Sequence, residues 1–177
     1  MKKISMVEKY STPSKSNYYK LDANENLVLD KNFLTNISLD SLEKIDLRKY
    51  PIELYEKLYK KLSEYLMIGE QSLVLGSGSD QIIDLLLTLI GRGWRLTSIY
   101  PTFSYFKTRC QLHGILFSEV MLSSIDNTLD SEKFIEDAKK SHAIYLCSPN
   151  NPTGNQFERS QILDILGSLK DNLVIID

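Results

Sequence analysis

One stretch limits what this chain can fold into: A-I-Y-L-C-S-P-N-N-P-T-G, Ala143 to Gly154, a nearly unbroken apolar run that stops in a polar turn. Ala143 to Cys147 is too short for a helix and apolar on both alternating sides. It reads as a strand covered on both faces, the condition of a parallel sheet between layers of helix. Two prolines, Pro149 and Pro152, fix φ and remove donors, while Asn150, Asn151 and Gly154 tolerate or supply less common backbone angles. The turn therefore holds an amide side chain at the carboxyl end of a strand, where open α/β sheets bind ligands. Taken alone, N-N-P-T-G is equally a tight connection from strand to helix. The other stretches decide between the two.

Strand-like and helix-like segments alternate along the chain. Residues 1–45 are polar and irregular, with Ser, Asn and Lys in excess, and read as an arm; L-D-A-N-E-N, Leu21 to Asn26, lies within it. From Glu53 to Leu66 apolar residues recur at helical spacing opposite a charged face, which predicts an amphipathic helix packed on another element. Just upstream, R-K-Y-P sets Tyr50 before Pro51, where the chain is pushed towards extended backbone and the helix can begin. Leu73 to Leu75 reads as a brief strand. The helix after it, with Ile82, Ile83, Leu85, Leu86, Leu87, Leu89 and Ile90, reads as buried on most sides. Strands are expected at Arg95 to Tyr100 and Ile115 to Met121. A helix is expected over Ser131 to Lys140 with Ser131 as its cap, and another over Glu158 to Leu169. The last apolar run, L-V-I-I-D, ends on Asp177. This order predicts an α/β fold, mainly a parallel sheet with flanking helices, preceded by an N-terminal arm.

Composition excludes several classes of function. A formal charge of −2 with no basic block argues against nucleic acid as a partner. No apolar run is long enough for a membrane span or a signal peptide, so the chain reads as cytoplasmic. The two cysteines, Cys110 and Cys147, form no disulfide or thiolate-metal pattern. His113 and His142 lack ligand spacing and read as packing or surface residues; no metal site is expected.

G-S-G-S-D, Gly76 to Asp80, introduces a helix and presents free backbone N–H groups and the positive helix end to an anion. A dinucleotide fingerprint is the rival reading, but Gln81 stands where its third glycine belongs. A plain turn with capping serines is the other. After the next strand comes Y-P-T-F-S-Y-F, whose Phe103 could stack on a flat ligand, while Phe106 reads as core. Four candidate ligand groups thus stand at carboxyl ends of strands: the G-S-G-S-D turn, Phe103, Asn151 and Asp177. A planar ring with a phosphate, an anionic ring oxygen and a protonated ring nitrogen would satisfy them all, and pyridoxal 5'-phosphate has that description.

In this order and spacing, L-D-A-N-E-N, R-K-Y-P, G-S-G-S-D, Y-P-T-F-S-Y, S-P-N-N-P-T-G and V-I-I-D resemble the fold-type I pyridoxal-phosphate-dependent aminotransferases, and among them the histidinol-phosphate aminotransferase group. The resemblance implies that Ser79 and Asp80 open the helix that holds the phosphate and that Phe103 stacks on the pyridine ring. It further implies that Asn151 bonds the ring oxygen and Asp177 the ring nitrogen. Tyr50 matches a tyrosine that reaches the phosphate in the neighbouring subunit's site, which implies a homodimer. Asn24 and Glu25 would lie near the substrate. The resemblance divides the chain into an arm or small-domain segment, 1–45, and the first half of the cofactor-binding large domain, 46–177.

The chain also departs from the family. The Schiff-base lysine and the arginine for the substrate carboxylate belong beyond the strand that ends at Asp177, and neither Lys107 nor Lys170 occupies a matching place. No catalytic residue is therefore expected in this chain, which alone is expected to be inactive. By resemblance the whole enzyme would move an amino group between a phosphorylated amino compound such as histidinol phosphate and 2-oxoglutarate. A phospho-amino-acid decarboxylase of the same fold, a non-catalytic truncated homologue, and a phosphate- or nucleotide-binding α/β module stay open as alternatives.

Overall fold

Why the Ala143 run is apolar on both sides is visible in the sheet it joins. The computed structural model describes residues 25, 26 and 28–177. The described chain falls into two units, one ending at Leu75 and the other running from Gly76 to Asp177.

In the second unit, strands β1 (Arg95–Tyr100), β2 (Leu116–Met121), β3 (Ala143–Leu146) and β4 (Leu173–Ile176) form a sheet ordered β2-β1-β3-β4. Every pairing is parallel, with Leu96 opposite Phe117 on one side and Ala143 on the other, and Leu146 opposite Ile176. Parallel neighbours need crossovers, and helices supply them. α3 (Ser79–Ile90) leads into β1, α4 (Ser104–His113) joins β1 to β2, α5 (Ser131–Ala138) joins β2 to β3, and α6 (Arg159–Ser168) joins β3 to β4.

All four residues of β3 are buried, and their alternation divides the core. Ala143 and Tyr145 pack with Ile83 and Leu87 of α3 and with Phe106 and Cys110 of α4. Ile144 and Leu146 pack on the other face with Phe134 and Ala138 of α5 and Ile165 of α6. Each fully buried Leu or Ile contributes about 1.5–3 kcal/mol relative to exposure, so this central strand anchors both layers. Polar groups in the sheet are matched: the Thr97 hydroxyl lies 2.8 Å from Ser118 Oγ and 2.7 Å from Ser141 Oγ, and Ser98 Oγ donates to the Tyr145 carbonyl at 2.8 Å.

Three expectations are corrected in this unit and its approach. Leu73 to Leu75 is not a strand: it follows a 3-10 turn, Glu70–Ser72, and pairs with none of the described strands. α3 is buried on one face only, through Ile83, Leu87 and Ile90, while Leu85 and Leu89 are 46% and 83% exposed. The cap of α5 is Asp130 rather than Ser131, because the Asp130 carboxylate accepts from Lys133 N at 3.0 Å. The sequence pattern does not predict helix α4; its residue Phe106 is fully buried, as expected.

In the first unit, the stretch read as irregular arm contains a helix, α1 (Lys31–Glu43). Asp30 starts it by accepting from Phe33 N at 2.9 Å, and Thr35, Ser38 and Ser41 turn their hydroxyls back onto the helix carbonyls. α2 (Ile52–Leu66) begins after Pro51 as the sequence predicts, and none of its residues is fully buried. No helix among the described residues is long and apolar enough to cross a membrane.

Candidate functional site

The carboxyl ends of β1, β3 and β4 lie side by side, and they carry Phe103, Asn151 and Asp177 in that order along the sheet edge. α3 reaches β1 through a short turn, Gly91 to Trp94, so its C-terminus lies at the opposite edge of the sheet and its N-terminus at this one. Ser79 and Asp80, both exposed, form the first turn of α3. Sheet topology thus brings these residues to one edge, as the sequence predicts.

Each group is held by local chemistry. Gly78 precedes α3 at φ 81 and ψ 171, a region open essentially to glycine. No side chain caps this helix start; Gln81 instead reaches back to accept from Ser77 N at 2.6 Å, and the first-turn N–H groups are left without a side-chain cap. A Cβ built on Gly78 would meet nothing within 4 Å, so the turn is open on that side.

Phe103 stands immediately before α4, half-buried against the cluster that contains Phe106 and Tyr145. On its outer side a cleft of about 350 Å³ is lined by Tyr100, Thr102, Phe103, Lys107 and Glu119, and neither Asn151 nor Asp177 contributes to it. Lys107 pairs with Glu119 across it at 2.6 Å.

Asn151 is exposed, and the residue before it is not. Asn150 is 2% exposed. Its Oδ1 accepts from Thr102 Oγ1 at 2.9 Å, and its Nδ2 donates to the Pro101 carbonyl at 2.9 Å and to Thr153 Oγ1 at 2.6 Å. Thr153 Oγ1 continues to Asn155 Oδ1. The turn closes through Asn150 N to the Asn155 carbonyl and Gly154 N to the Asn150 carbonyl, each 2.7 Å.

Asp177 extends the ladder past β4: its N–H donates to the Leu146 carbonyl at 3.0 Å and its carbonyl accepts from Ser148 N at 2.9 Å. Its carboxylate accepts from the Tyr145 hydroxyl at 2.6 Å. Burial, and then the bond to Asp177, push the Tyr145 phenol well above its ordinary value, so it stays a neutral donor.

Of the remaining sequence-predicted residues, Tyr50 and Glu25 lie in the other unit. Tyr50 is 91% exposed ahead of α2, Glu25 is exposed, and Asn24 lies outside the described residues. Among the described residues no group of three or more His, Cys, Asp and Glu side chains could hold a metal ion. The sequence alone places Asn150 only in the turn and singles out neither Thr102 nor Thr153. The N-N doublet was the available signal, but which amide turns inward is decided by tertiary packing.

Comparison with known proteins agrees with this fold. The family model for aminotransferase class I and II matches residues 16–177. The histidinol-phosphate aminotransferase of Pyrococcus furiosus is 31% identical over 168 residues, which are 90% of this chain and 48% of the relative. The chain spans about half the length of the curated relatives it matches. The crystal structure of the histidinol-phosphate aminotransferase from Clostridium acetobutylicum superposes with a TM-score of 0.70 at 26% identity, covering 83% of this chain and 42% of that one. That from Sinorhizobium meliloti in complex with pyridoxal-5'-phosphate shares the fold at a TM-score of 0.62 and 18% identity, covering 69% of this chain and 34% of its own. The chain belongs to the aminotransferase class I and II family.

Proposed function

We propose that this chain is the cofactor-holding part of a pyridoxal-phosphate-dependent aminotransferase that transfers an amino group between a phosphorylated amino compound, such as histidinol phosphate, and 2-oxoglutarate. The observation that carries the reading is the alignment of Phe103, Asn151 and Asp177 at the ends of three adjacent parallel strands, with the start of α3 at the same sheet edge.

The chemistry of the donor set supports this reading. Open N–H groups at Ser79 and Asp80 suit a phosphate. Asn151 offers an exposed amide for a ring oxygen, and Asp177 a carboxylate for a ring nitrogen, its orientation fixed by Tyr145. Phe103 offers an aromatic face. When bound, the cofactor supplies an electron sink for a carbanion at the substrate's α-carbon. The chain's own residues bind and orient it: Asp177 would hold a proton at the ring nitrogen and Asn151 would fix the ring's rotation. The lysine that attaches the cofactor and moves the α-proton has no counterpart here, so no catalytic residue is assigned within residues 1–177. In the whole protein, Tyr50 would reach the partner site of a cytoplasmic homodimer, with Asn24 and Glu25 near the substrate. Residues 1–45 would form the arm and 46–177 the first half of the large domain.

Pyridoxamine 5'-phosphate tests the site, because it carries no aldehyde to react with surface lysines. Calorimetric titration should give tighter binding than inorganic phosphate and a loss of about tenfold on Asn151→Ala or Asp177→Ala, the scale of one hydrogen bond to a charged group. Affinity equal to that of inorganic phosphate, or unchanged in both variants, would sink the reading. In the whole protein, carbon dioxide release without oxo-acid formation would favour decarboxylation instead.

A further inference from the structure

Two of the proposed ring contacts stand on different loops. Phe103 follows β1 and Asn151 follows β3, so a ring held between them needs the loops kept at a fixed separation. Between them lies one side chain, Asn150, 2% exposed and saturated by partners on both loops. Its Oδ1 and Nδ2 grip Thr102 and Pro101 of the β1 loop at 2.9 Å each, while Nδ2 also holds Thr153 of its own loop at 2.6 Å. Asn150 adjoins Asn151, and Thr102 adjoins Phe103. No other side-chain hydrogen bond recorded among the described residues joins these two loops.

An amide suits this place for a specific reason. It must donate to a carbonyl and accept from a hydroxyl at once, and Asn does both with a short, rigid stem. An apolar residue would leave the Pro101 carbonyl and the Thr102 hydroxyl unmatched in the interior. Asp would place a second acceptor against that carbonyl.

We propose that Asn150 is a positioning residue, a buried amide strut that sets the spacing between Phe103 and Asn151 and so governs recognition of the cofactor's ring without touching it. This rests on the site reading above. The phosphate end, at the start of α3, is not part of the strut. Loss of the strut should therefore weaken a ligand that has a ring and spare one that has only a phosphate.

The test is binding of pyridoxamine 5'-phosphate and of inorganic phosphate to the 177-residue chain, compared across Asn150→Asp, Thr102→Val, Thr102→Ser and Asn151→Ala. Thr102→Val removes the same bond from the other loop, so it carries the test should Asn150→Asp fail to fold. The expected result is about a tenfold loss for pyridoxamine 5'-phosphate in Asn150→Asp and Thr102→Val. Inorganic phosphate affinity should be unchanged, and Thr102→Ser, which keeps the hydroxyl, should bind as the wild type does. Wild-type affinity in Thr102→Val while Asn151→Ala is weakened overturns the strut and leaves the site reading standing. An equal loss for both ligands overturns it too, since that marks general unfolding. A wild-type chain that does not prefer pyridoxamine 5'-phosphate overturns both.

Discussion

The Tyr145 hydroxyl donates to the Asp177 carboxylate at 2.6 Å while its ring stacks on Phe106 at a centroid distance of 3.7 Å. One side chain thus ties the core beneath the sheet to the carboxylate at its edge. The two functions separate by substitution. Tyr145→Phe keeps the stack and leaves an exposed carboxylate that water can solvate, so it should cost about 1–2 kcal/mol. Tyr145→Ala also empties the core beside Phe106 and should cost about 3–5 kcal/mol. Urea denaturation of the two variants checks the ordering; equal costs would mean that the ring contributes nothing beyond the hydroxyl.

What the sequence disclosed follows the range of the forces involved. β3 was legible because burial on both faces forces an unbroken apolar run, and its terminating turn is written in Pro149, Asn150 and Pro152. Leu73 to Leu75 is equally apolar yet unpaired, since a strand is defined by a neighbour the local sequence does not contain. α1 was illegible for the opposite reason: its apolar residues, among them Phe33, Ile37 and Leu39, are scattered around the helix and none is buried, and its start depends on one cap, Asp30. Phe103, Asn151 and Asp177 could be placed at strand ends because strand ends are local features. The contacts of Asn150 could not be read there, because its partners Pro101 and Thr102 stand on another strand's loop.

Cys110 gives a prediction in alkali. Burial pushes its thiol up from 9.0 to about 12. The unfolded chain then releases this proton at lower pH than the folded chain does, so stability is full below pH 9.0 and falls as pH rises towards about 12. The slope is at most about 1.4 kcal/mol per pH unit for one group. Cys110→Ala is less stable at neutral pH because it leaves a small cavity, but it should lose stability less steeply above pH 9.0. Denaturation midpoints measured across that range check it; parallel curves for wild type and variant would refute the assignment.

α3 and α4 are joined on their outer surface by Asp84, which takes a two-pronged grip from Arg109, including Nη2 to Oδ2 at 2.7 Å, with His113 Nε2 3.8 Å away. The bond to Asp84 raises the Arg109 pKa, so the guanidinium remains charged. Both side chains are about one-third exposed or less, which leaves water and salt to screen the pair. Asp84→Ala should therefore cost only about 1 kcal/mol. The difference in Tm from wild type should shrink as salt is raised, and a difference independent of salt would show that packing, not charge, is what Asp84 contributes.

Gly78 is the last case, and it separates backbone from contact. A Cβ there would touch nothing, so sterics within the fold allow any side chain. The backbone does not: φ 81 with ψ 171 lies in a region that side chains of either branching reach only with strain. Gly78→Ala should therefore destabilise the chain by about 1–3 kcal/mol despite the open space, and Gly78→Asn should fare no better, because this is not the left-handed helical region that Asn tolerates. A variant that relieves the strain by turning the loop also rotates the N–H groups of Ser79 and Asp80. Inorganic phosphate, which senses only that end of the site, should then bind more weakly to Gly78→Ala than to Asn151→Ala. Wild-type stability in Gly78→Ala, read by urea denaturation, would show that the turn has another conformation at no cost.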